Sequence, residues 1–254
     1  MRLINTKTML LELLPNQLIP NIPDYAILSH RWEEDEVTFE DMENRAESLQ
    51  SKKGYKKIEK SCEIASAIGF EYIWIDTCCI NKANEQELTD ALASMFHYYR
   101  DAQVCYAYLT DVPSGDNPYK GDSFFRRSSW FTRAWTLQEL VAPLYVTFFD
   151  RDWKEIGTKS SLQAVVKEIT GIPSQVLLMN SPCVVSVAQR MNWCEGRETT
   201  EPEDKVYCML GLLGVRMPVK YGEGYEAASR RLTEQIAILK AIQGLINSQG
   251  IEAS

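Results

Sequence analysis

Four side chains of unlike chemistry stand together at Ser29-His30-Arg31-Trp32. A guanidinium can fork onto a phosphate and an indole can stack on a flat ring, while a hydroxyl and an imidazole trade hydrogen bonds. The acidic run Glu33-Glu34-Asp35-Glu36 follows directly, so Arg31 reads equally well as part of a surface ion-pair cluster. A second candidate is Asp76, in Trp74-Ile-Asp-Thr-Cys-Cys-Ile-Asn-Lys82. Its carboxylate either receives a ligand hydroxyl or caps the next turn. The densest segment runs from Ser128 to Val141 and reads as one helix, on which Trp135 and Glu139 are i,i+4 neighbours. A carboxylate beside an indole at the edge of a site can be desolvated and firmly held. The same Glu139 also reads as a partner of Arg133 or Arg126 on a solvated face.

Other chemistries find little support. Cys78-Cys79 suggests a nucleophile, but only His30 and His97 could serve as base, and Lys82 is the one local group that would lower a thiol pKa. The seven cysteines form no C-x-x-C pair, so no metal site is expected, and their odd count fits a reducing, cytoplasmic setting. Neither G-x-G-x-x-G, G-x-x-x-x-G-K-[ST] nor G-x-S-x-G occurs. With 27 basic and 35 acidic residues the net charge is -8, which argues against a nucleic-acid partner. The cluster Lys52, Lys53, Lys56, Lys57 and Lys60 reads as a solvated helix face. No apolar run reaches the roughly 20 residues of a membrane helix, and the first residues lack the pattern of a secretory signal.

The elements that must position these residues alternate. Short apolar runs at Tyr25–Leu28, Tyr72–Ile75, Val104–Leu109 and Leu144–Phe149 read as strands. Helical spacing fills the intervals: 56–68 closed by Gly69, then Leu88, Leu92, Met95 and Tyr99, then Ser128–Val141. Such alternation predicts an α/β fold with a parallel sheet flanked by helices, whose ligands bind beyond the carboxyl ends of the strands. The chain changes character after residue 154. Helical patterns at 160–171, Val206–Leu213 and Glu226–Lys240 predict an added C-terminal helical subdomain over 155–243, with Thr200-x-x-Glu203 as a capping box. Gly222-Glu-Gly224 reads as a turn into the last helix. Residues 244–254 read as a tail or the start of a linker.

Three blocks, Tyr25–Trp32, Trp74–Lys82 and Trp130–Pro143, together resemble the signature blocks of the fungal heterokaryon incompatibility (HET) domain. The run from Arg197 to Gly224 resembles that family's C-terminal block, so the resemblance covers about residues 20–240. It implies more than the residues alone. HET domains are similar to Toll/interleukin-1 receptor (TIR) domains, which have a flavodoxin-like parallel sheet, and many TIR domains hydrolyse NAD⁺ with a glutamate in a W-x-x-x-E-L-like pattern. Trp135-Thr-Leu-Gln-Glu-Leu140 matches that pattern. By this resemblance Glu139 is the catalytic carboxylate, and Ser29, His30, Arg31, Trp32, Asp76 and Trp135 bind substrate, with Arg31 on the pyrophosphate. NAD⁺ is then a substrate and no cofactor is implied. The resemblance further implies a cell-death effector of non-self recognition, activated by homo-oligomerisation and coupled to a nucleotide-binding sensor module in cis or in trans. The competing expectation is a non-catalytic adaptor that acts through homotypic assembly.

Overall fold

The computed structural model describes residues 1–14, 22–45, 48–179 and 182–248. Seven strands form one sheet: β1 (Arg2–Asn5), β2 (Leu11–Leu13), β3 (Tyr25–His30), β4 (Tyr72–Trp74), β5 (Val104–Tyr108), β6 (Val146–Phe149) and β7 (Glu155–Thr158). They lie in the order β2-β1-β4-β3-β5-β6-β7. The four central strands pair in parallel and coincide with the four expected runs. All six residues of β3 are buried, as a parallel strand covered on both faces requires.

The sheet is wider than expected, because three short antiparallel strands complete its edges. At one end β1 and β2 form a hairpin. Its turn is set by the Asn5 side chain, which accepts from the N–H groups of Lys7 and Thr8. At the other end β7 pairs with β6. The part read as wholly helical from residue 155 therefore begins with a strand of the sheet.

Crossovers and flanks come from α1 (Phe39–Asn44), α2 (Tyr55–Ala67), α3 (Glu85–Asp101), α4 (Phe124–Arg127) and α5 (Thr136–Val141). The expected helix over Ser128–Val141 is interrupted. A 3₁₀ turn spans Ser129–Thr132, Arg133 is extended, and only then does α5 begin. The break has a tertiary cause: Arg133 bridges to Glu198, the Ala134 N–H donates to the Glu198 carbonyl, and the Glu198 N–H donates to the Thr132 carbonyl. Lys57, expected on a solvated face, is instead buried and paired with Glu36 and Glu33.

The remainder comprises α6 (Gln163–Thr170), α7 (Ser174–Met179), α8 (Val187–Asn192), α9 (Asp204–Tyr207), α10 (Leu210–Leu213) and α11 (Tyr225–Ser248). Gly171 closes α6 in the left-handed conformation. The run Val206–Leu213 is split between α9 and α10. The predicted capping box is not formed, because the Glu203 carboxylate accepts from the N–H groups of Gly222 and Gly224 instead. That bond fixes the turn into α11. The expected tail begins inside α11, which runs to Ser248; residues 249–254 lie outside the described residues. One buried apolar cluster runs through both parts, from Leu3 to Leu232. No helix among the described residues is long and apolar enough to cross a membrane.

Candidate functional site

A cavity of about 470 Å³ opens beyond the carboxyl ends of β3 and β4, within the usual range for small-molecule sites. Its wall includes His30, Trp32, Asp76, Trp135 and Glu139, five of the seven expected site residues. They come from three separate elements: the end of β3, the loop after β4, and α5 with the residue preceding it.

Glu139 sits on a six-residue helix that is buried on every side. A polar group in such a place must be satisfied or it costs free energy. Ser29 meets that need by donating its hydroxyl to Glu139 Oε2. Ser29 Oγ in turn accepts from the Trp130 indole N–H at 2.8 Å. The donor order Trp130 to Ser29 to Glu139 fixes the carboxyl's rotamer. Only 7% of Glu139 is exposed, which excludes the solvated-face reading. Burial pushes its pKa up to about 8 and the nearby Asp76 charge adds to this, against the Ser29 hydrogen bond, Arg133 and Tyr99.

Both ends of α5 are anchored from outside. Arg197 donates to the Arg133 carbonyl at 2.9 Å and to Thr136 Oγ1 at 3.3 Å, at the start of the helix. At its end the buried Lys159 ammonium donates to the Leu140 carbonyl at 3.2 Å and to the Pro143 carbonyl. A cation there also complements the negative end of the helix dipole.

Ser29 differs from its expected role. It is wholly buried, so it positions Glu139 and does not reach a ligand. Strand parity explains this: Ser29 and His30 face opposite sides of the sheet. His30 is also buried, and neither ring nitrogen has a hydrogen-bond partner among the described residues. Nε2 lies 3.9 Å from Glu36 and Nδ1 3.9 Å from Asp76. Burial holds the imidazole down to about 3, so it is neutral at physiological pH.

Asp76 accepts from the Trp32 indole N–H at 2.7 Å, and no backbone N–H among the described residues donates to it; the turn-capping reading is not observed. Arg31 stands apart. It lies 3.9 Å from Glu198 and lines a side cavity of about 130 Å³ with Arg133, Trp135 and Thr199. With Ser29 it is one of the two expected ligand residues absent from the wall of the 470 Å³ cavity.

The sequence reading missed several wall residues. Asp204 accepts from the Tyr221 hydroxyl at 2.8 Å and from Trp135, so the helical part orients the indole beside Glu139. Burial raises the Asp204 pKa. Lys82 stands 3.5 Å from the centroid of the Trp32 ring and the Arg133 guanidinium 5.4 Å. Thus the helical part lines the cavity without filling it. Cys78 and Cys79 are buried, and burial drives the Cys79 thiol pKa well up, which argues against a nucleophile there. No cluster of three or more His, Cys, Asp or Glu suited to a metal occurs among the described residues.

The arrangement offers a held carboxyl, two indoles and two cations around one cleft. Such a set can bind a flat ring and an anion while placing negative charge against a developing cation.

Comparison with known proteins agrees with the family resemblance of the sequence. Residues 25–120 match the family model for heterokaryon incompatibility protein (HET). The chain is 44% identical over 233 residues to vegetative incompatibility protein HET-E-1 of Podospora anserina. That match takes in 89% of this chain but spans only 17% of the relative's length. No solved structure matches the chain.

Proposed function

The chain carries a heterokaryon incompatibility (HET) domain, and from that premise we propose a cell-death effector of fungal non-self recognition that hydrolyses NAD⁺ at the cavity. Glu139 is its key carboxylate. The observation that carries this reading is the buried Glu139 carboxyl, fixed by Ser29 at the wall of an open cleft. The parallel strands run in the order second, first, third, fourth, which is flavodoxin-like and supports a TIR-like reading of the fold.

The chemistry suits one carboxylate. Sugar hydrolysis ordinarily needs a second carboxyl to protonate the leaving oxygen. Nicotinamide leaves a ribosyl pyridinium already cationic. The C1′–N bond breaks, its electron pair departs with the nicotinamide nitrogen, and a water oxygen bonds to C1′ and releases a proton. Glu139 supplies negative charge beside the oxocarbenium-like centre. The pyridinium charge of bound substrate favours the ionised carboxylate. Trp32 and Trp135 offer flat faces to the rings.

Activation by self-assembly and coupling to a nucleotide-binding sensor module belong to the same reading, for a chain of cytoplasmic residence. The chain spans 17% of the length of its relative, so further modules are proposed only by analogy.

The test is NAD⁺ consumption followed by chromatography at high protein concentration, with and without enforced oligomers. Glu139→Gln is expected to lower the rate by roughly 10²–10³-fold or more, as loss of a transition-state stabiliser does. Equal rates for parent and variant would sink the assignment. If no form turns over NAD⁺ and Glu139→Ala still kills cells, the domain is a non-catalytic adaptor.

A further inference from the structure

Two cations on the cavity wall stand outside ion-pair distance of any carboxylate among the described residues. They are Lys82 and Arg133, both half-buried. Three carboxyls on the same wall take their close hydrogen bonds from neutral donors rather than from these cations. Asp76 accepts from Trp32, Glu139 from Ser29, and Asp204 from Tyr221 and Trp135. Lys82 and Arg133 instead share the Trp32 ring, at 3.5 and 5.4 Å from its centroid.

This is a costly arrangement for an empty wall. Withdrawing a cation from water without an anion is unfavourable, and two like charges beside one ring repel. Burial lowers the proton affinity of Lys82, the Asp76 charge works against this, and the charge of Arg133 adds to it. An anion placed between them would relieve both penalties. Arg31, the residue expected to hold a pyrophosphate, is on the side cavity near Glu198, whereas Arg133 lines both cavities.

We propose that Lys82 and Arg133 form the anion subsite of this cleft and take the diphosphate bridge of its substrate, with Trp32 as the ring that both cations approach. The inference rests on the NAD⁺ reading and sharpens it: the substrate class is the phosphate-bearing N-riboside, not the free nucleoside. Arg offers a bidentate fork and Lys a point charge, the complementary means of holding adjacent phosphates.

Binding tests this without turnover. Calorimetry with ADP-ribose is expected to show affinity for the parent and a loss of roughly 100-fold or more in the Lys82→Gln/Arg133→Gln double variant, the scale of two charge-assisted hydrogen bonds. Nicotinamide riboside, which has no phosphate, should bind parent and double variant alike. Arg133→Lys should retain part of the affinity, and unchanged melting curves should show that the fold persists. The subsite is overturned if ADP-ribose fails to bind the parent, or binds parent and double variant equally. The two readings fail separately. ADP-ribose held through Lys82 and Arg133 without any NAD⁺ loss supports the subsite and retires the hydrolase. NAD⁺ loss with an unchanged KM in the double variant does the reverse.

Discussion

Glu139 shows how a single residue's surroundings set its chemistry. Its carboxyl titrates at about 8 in the folded chain, against about 4.3 unfolded. Between those values the unfolded chain gives up a proton that the native state keeps. Stability therefore falls as pH rises from about 4 to 8 and levels off beyond. Glu139→Gln removes this penalty, so its melting temperature should exceed the parent's by a margin that grows from pH 5 to pH 8. The corresponding stability difference should reach on the order of 3–5 kcal/mol at about 1.4 kcal/mol per unit. His30 titrates in both proteins and cancels in the difference. A margin equal at both pH values would mean that the site does not hold the carboxyl neutral. The kcat/KM for NAD⁺ should rise with pH toward the same midpoint, since the ionised form is the useful one. Glu139 and Trp135 were legible because their spacing is local. The duty of Ser29 was not, because strand parity decides which neighbour reaches the cavity. The place of Lys82 on the wall has no local signature either, since nothing near it in the sequence tells that it turns onto Trp32.

At the scale of elements, the chemistry depends on a helix too short to stand alone. α5 has six residues, and its position is imposed by Arg197 at its start and Lys159 at its end. Lys159→Met keeps the aliphatic stem but strands two buried carbonyls. That should cost about 2–3 kcal/mol, from hydrogen bonds to a charged donor. The expected result is a melting temperature lower by roughly 4–10 °C, with a fall in kcat as Glu139 shifts. A variant as stable as the parent would show that Lys159 does not hold the helix end. The same anchoring explains where the sequence reading failed. Ser128–Val141 has helical spacing, yet pairing with Glu198 extends Arg133 and overrides the local preference. The edge strands escaped notice for another reason. β1, β2 and β7 have three or four residues each, too few for an alternation to register, and their pairing is long-range.

The whole molecule behaves as one core, although its sequence suggests two parts. Strand β7 extends the sheet, Arg197 reaches back to α5, and Asp204 orients Trp135. α10 packs against α3 so closely that a Cβ on Gly211 would lie 2.1 Å from Phe96 Cβ. This contact separates local from global preference. In an isolated helix Gly→Ala is stabilising by about 1 kcal/mol. Here Gly211→Ala forces α10 away from α3, whose Met95 lines the cavity, and overpacking of this kind costs about 1–3 kcal/mol. Calorimetry should show one transition for both proteins, with the variant's midpoint lower by roughly 2–10 °C. Two resolved transitions would mean that the helical part folds on its own. A rise in the midpoint would mean that helix propensity outweighs the contact. A single, lowered transition would tie the helical part to the site it lines, since Asp204 and Tyr221 can orient Trp135 only while α9 and α10 stay docked.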